Sequence, residues 1–140
     1  MAKTFKLHPI TNLDGDNYKV PIFDSFGFPE RENHPTYKQP DGKPVEMVRM
    51  KEATLIDILD LLVRRFPKER MTMDNVTQAT ILKKALLSHK KDGRLVLEEG
   101  THDWVKKMLN DDKVGIEVFG LMTKVILDEV EDFDRAKEAK

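Results

Sequence analysis

From residue 52 to residue 133, apolar side chains recur every three or four positions, the spacing of helices that bury one face. The first such stretch predicts a helix from about Glu52 to Phe66, with Leu55, Ile58, Leu59, Leu62 and Phe66 on a common stripe. Asp60 and Arg64 stand four apart on the other side, within pairing reach. Pro67 ends the helix, because the residue before a proline is pushed out of helical geometry. Ile56 and Leu61 fall off the stripe, so this helix is expected to be covered on more than one side. A second helix starts near Thr72 or Asp74, both good N-caps. It carries Val76, Ala79, Leu82, Ala85 and Leu86 as its stripe and stops by Asp92-Gly93. Arg94-Leu95-Val96-Leu97 is a short strand or a packed connection. A third helix, roughly Glu98 to Leu109, turns Trp104, Val105, Met108 and Leu109 inward. The fourth, Val114 to about Phe133, is the most apolar, with Val118, Phe119, Leu121, Met122, Val125, Ile126 and Val130. The expected core is Leu59, Leu62, Leu82, Leu86, Trp104, Met108, Phe119, Met122 and Ile126.

The first fifty residues follow a different pattern. Lys3 to Ile10 alternates, as a half-buried strand does. Asn12 to Asn17 reads as a polar turn, and Tyr18 to Phe23 as a strand pairing back, with Pro21 at an edge. Residues 24–45 hold Pro29, Pro35, Pro40 and Pro44 and read as a long loop without regular structure. Gln39-Pro40-Asp41-Gly42 is a turn within it, leading to a strand at Val45–Met50. The fold class is therefore α+β, mainly α: a four-helix domain over 51–133 with an N-terminal β-hairpin and Pro- and aromatic-rich arm over 1–50. A charged tail, 134–140, completes the chain.

Composition narrows the chemistry. At 140 residues, 39% hydrophobic and 35% charged, the chain suits one folded domain. It has no cysteine, so disulfides, thiolate metal sites and cysteine nucleophiles are excluded. The formal charge of -1 creates no overall field to attract nucleic acid or an anionic membrane. No signal sequence and no apolar run of about 20 residues is visible, so a cytoplasmic location in a bacterial host, with incorporation into a particle, is the expectation.

No catalytic constellation emerges. His8, His34, His89 and His102 lack any paired spacing that would mark a metal site. Asn12, Asp14 and Asp16 alternate like the start of a calcium loop, but the twelfth position is Phe23 where a bidentate acid is needed. Asp57 and Asp60 read as part of a solvated helix face. Neither Ser25 nor Ser88 sits in a nucleophile elbow. The reading is no enzyme, no metal and no cofactor. Two macromolecular readings remain. Phe23, Phe26 and Phe28, with Tyr18 and Tyr37, give the arm aromatic anchors of the kind that carry interface energy. They either cap the helical core or dock onto other protein subunits, in a homo-oligomer or a larger assembly. The alternative is a small DNA-binding protein using Lys83, Lys84, Lys90, Lys91 and Arg94 as a basic helix and wing-like turn.

The order of short motifs resembles a family of small proteins encoded among the late, structural genes of tailed bacteriophages and prophages. Carrying the resemblance are Ile10-Thr11-Asn12-Leu13-Asp14-Gly15, Asp41-Gly42-Lys43-Pro44 and Thr54-Leu55-Ile56-Asp57-Ile58-Leu59. Leu97-Glu98-Glu99 leading to Trp104, and Gly120 to Glu131, continue it. Residues 16–40 depart from the pattern as an insertion. The resemblance implies a role in building or completing a virion and transfers no catalytic residue.

Overall fold

The structure, a computed structural model, describes residues 3–88 and 93–138, with side-chain surroundings given through residue 131. Helices dominate the second half and short strands the first, as an α+β chain. The strands form three two-stranded antiparallel sheets. β1 (Lys3–Lys6) pairs with β6 (Arg94–Leu97), placing Phe5 opposite Leu95. β2 (Lys19–Pro21) pairs with β5 (Met50–Glu52). The expected return of Tyr18–Phe23 onto the first strand is reduced to a single bridge, Thr11 with Asn17. Phe5, Leu95 and Leu97 are fully buried, so β1 is held where its apolar face meets the helices.

β3 (Arg31–Lys38) and β4 (Pro44–Val48) form a hairpin where the proline-rich run predicts an irregular loop. The prolines fit because of where they fall. Pro35 lies in the stretch between Asn33 and Lys38 where the register shifts, a place that needs no ladder donor. Pro44 opens its strand. His34 Nδ1 accepts from the Thr36 and Tyr37 amides at 3.1 and 3.0 Å, stitching the irregular stretch.

α1 (Leu55–Arg64) buries Leu55, Ile58, Leu59 and Leu62 together with the off-stripe Ile56 and Leu61. It is covered on two sides, as its sequence requires. Asp57, at its third position, accepts from the Thr54 amide and hydroxyl at 3.0 and 3.2 Å, so this carboxylate caps the helix. α2 (Met73–Ser88) buries only Leu82 and Leu86. α3 (Glu99–Asn110) buries Trp104, Val105, Met108 and Leu109, with Thr101 and His102 beside them. The Trp104 indole donates to Asn75 Oδ1 at 3.0 Å, tying α3 to α2.

The long fourth helix is interrupted. A π-turn (Asp112–Ile116), a single helical turn α4 (Glu117–Phe119) and a 3-10 turn (Gly120–Met122) precede α5 (Thr123–Glu138). Gly120 adopts φ 55°, which L side chains rarely reach, and the chain changes direction there. Leu121 is consequently left 85% exposed, while Phe119, Met122, Ile126 and Val130 stay buried. All nine residues expected in the core are buried, and Phe5, Ile10 and Val20 from the first part of the chain join them.

Candidate functional site

The aromatic arm is divided by a tight loop over residues 24–28. Before it, Tyr18 and Phe23 pack against the core. Tyr18 also donates its amide to the Ile10 carbonyl at 2.6 Å. The Arg64 guanidinium lies over the Phe23 ring, 4.5 Å from its centroid. In the loop itself, Asp24 Oδ1 accepts from the amides of Phe26 and Phe28 at 2.9 and 3.0 Å. The Asp24 amide donates to the Phe28 carbonyl, and Phe23 bridges to Pro29. These bonds fix the backbone while leaving Phe26 86% and Phe28 69% exposed. Tyr37, on β3, is also exposed, with its ring 4.4 Å from that of His34. The five candidate aromatics thus separate into two that cap the core and three that face solvent.

Beside this loop the surface is held together by ion pairs. A Cβ on Gly27 would stand 3.4 Å from Arg64 Nη1, so the loop rests against α1. Arg64 Nε bonds Asp60 Oδ2 at 2.8 Å, and Lys83 from α2 bonds the other oxygen of the same carboxylate. Burial alone would push the Asp60 carboxyl up. Hydrogen bonds and charge from Lys83 and Arg64 outweigh it and hold the carboxyl below its ordinary range. Asp57 pairs with Lys51 at 2.8 Å. The expectation of a solvated acidic face is therefore corrected: both carboxylates are half-buried and engaged.

Two concavities flank the Asp60 cluster. One, of about 180 Å3, lies between β2 and the helices and is lined by Val20, Phe23, Ile56, Asp57, Asp60 and Leu86 among others. Its charged groups are spent on each other. The second, of about 460 Å3, runs between the end of α1 and the first turns of α2. Val63, Phe66, Met71, Val76, Ala79 and Thr80 form its apolar walls, with Lys83 and Lys84 on its rim. Val76, expected in the core stripe, is instead 42% exposed along this groove. The signal for the groove is present in Val76, Ala79, Thr80 and Lys83, which share one helical face. The stripe through Leu82 and Leu86 masks it.

Lys83 is taken by Asp60, Lys84 is exposed, and Arg94 stands opposite Lys6 in the β1–β6 pair. Lys90 and Lys91, with His89, lie outside the described residues. The remaining histidines have structural surroundings. His8 Nε2 lies 3.1 Å from Glu129. His102 is buried, with Nε2 donating to the Val130 carbonyl at 3.1 Å and its ring beside Phe5. Asn12 Oδ1 accepts from the Asp14 and Asp16 amides, so that segment closes as a turn on itself. Among the described residues no three acids or histidines gather as a metal site, and no helix is long and apolar enough to cross a membrane.

Compared with protein-family models, curated proteins and solved structures, the chain matches none.

Proposed function

We infer that this is a non-enzymatic interaction protein whose N-terminal arm docks onto a protein partner. The observation that carries the reading is the pair Phe26 and Phe28, both largely exposed on a loop whose backbone Asp24 holds in place. Phenyl rings in water are unfavourable for a lone molecule, whereas rings held in a fixed presentation lose little entropy on docking. The helical core serves as the rigid body behind the loop. The motif resemblance to phage late-gene products supports a partner among the components of an assembling particle. The DNA-binding alternative is less supported, since Lys83 is committed to Asp60.

A photo-crosslinking phenylalanine analogue placed at position 26 in the producing cell tests the reading. The expected result is a discrete protein adduct that a matching probe at the exposed position Lys107 does not give. Equal, diffuse labelling from both positions overturns it.

A further inference from the structure

We propose that the groove between α1 and α2 receives the Phe26–Phe28 loop of a second copy of this chain, each copy filling the other's groove across a two-fold axis. The inference rests on the docking reading above and names the loop's partner.

Three observations carry it. First, loop and groove are neighbours on one surface. Gly27 abuts Arg64, Arg64 shares Asp60 with Lys83, and Lys83 forms part of the groove rim. A protrusion beside a recess on one face is the arrangement that a two-fold axis makes self-complementary. A distant pair would instead build an open chain of subunits.

Second, size matches. The groove's volume of about 460 Å3 lies in the range of sites that enclose small apolar ligands, roughly 300–1,000 Å3. Aromatic side chains bury about 150–250 Å2 each. The two rings of each loop, already partly covered, and the walls they meet remove on the order of 1,000 Å2 or less over both grooves, the size of a weak, exchanging dimer.

Third, the charges are complementary. Asp24, Glu30 and Glu32 flank the two phenylalanines, against Arg31 and the Arg49 that pairs with both glutamates. The groove, among the described residues, is lined by two lysines and no carboxylate. With Glu30 and Glu32 held by Arg49 and Lys83 held by Asp60, the charges left to meet across the axis are Asp24 beside the rings and Lys84 on the rim.

Sedimentation velocity on the full chain tests this with two variants. Phe26→Ser/Phe28→Ser removes the protrusion, and Val76→Glu places an acid in the recess. The wild-type chain is expected to dimerise, and each variant alone to weaken dimerisation at least about tenfold. Mixing the two variants restores a heterodimer, because one intact loop still meets one intact groove. Circular dichroism confirms that both variants fold. Should Val76→Glu fail to fold, Thr80→Glu at the same wall replaces it. A wild-type chain that stays monomeric up to about 200 μM overturns the inference, as does a dimer indifferent to the loop. If the chain is monomeric yet the probe at position 26 still captures a different protein, the self-docking fails and the docking reading survives. If neither contact is found, both fail.

Discussion

Lys83 on α2 and Arg64 on α1 grip opposite oxygens of one carboxylate, Asp60, and so lock the two helices at their shared edge. Asp60→Asn should destabilise the fold by about 1–2 kcal/mol at neutral pH, between the values for exposed and buried pairs. The folded-state carboxyl is held below its ordinary value near 3.8. The stabilisation is therefore complete above that ordinary value and is lost as pH falls through the lowered one. Urea denaturation should show the wild-type advantage over Asp60→Asn at pH 7 shrinking below about pH 4.

Phe26 and Phe28 should be dispensable for folding. Phe26→Ser/Phe28→Ser is expected to change stability by no more than about 0.5 kcal/mol, as exposed substitutions do. Phe5→Ala, at a fully buried position, should cost about 3–5 kcal/mol. Thermal melts of the two variants, side by side, separate residues kept for contact from residues kept for the core.

Asp24 should order the loop rather than the fold. In Asp24→Ala the amides of Phe26 and Phe28 lose their acceptor. Hydrogen exchange at those two amides should quicken about fivefold or more, since one such bond is worth about 1 kcal/mol. The melting temperature should move little. Slower binding to any partner of the loop would follow from the lost preorganisation.

Gly115 should tolerate no side chain. A Cβ there would lie 2.3 Å from the Leu109 carbonyl oxygen, and backbone cannot step aside as a flexible side chain can. Gly115→Ala is expected to cost about 1–3 kcal/mol or to shift the π-turn away from α3. Chemical denaturation reads the first outcome, and altered Trp104 fluorescence the second.

How far the sequence reveals this molecule depends on the range of the forces involved. α1 was legible because its stripe and its Pro67 stop are local, although it begins at Leu55, after the Thr54 cap, and not at the expected Glu52. The face of α3 carrying Trp104 and Met108 was legible for the same reason. Of the hairpin of β3 and β4, the turn at Gln39-Pro40-Asp41-Gly42 and the second strand were legible, and β3 was not. Most of β3 is exposed, so no apolar alternation marks it, and its prolines fall at the irregular stretch and the strand ends. The fourth helix reads as continuous because its apolar residues keep their period through Gly120, while the backbone breaks there. At the candidate site, composition singled out Phe23, Phe26 and Phe28 as alike. What separates them is Arg64, forty-one positions from Phe23 in sequence, which covers one ring and leaves the others bare. The groove escaped notice because Val76 and Ala79 continue the stripe of Leu82 and Leu86.

The pairing of β1 with β6 sets the order of events on the ribosome. Phe5 leaves the exit tunnel well before its cover, which includes Leu95, ninety positions later. Contacts of such separation are slow to form. Until residue 97 has emerged, the nascent chain carries an unmatched strand with a bare phenyl ring, a natural target for chaperones that bind apolar extended segments.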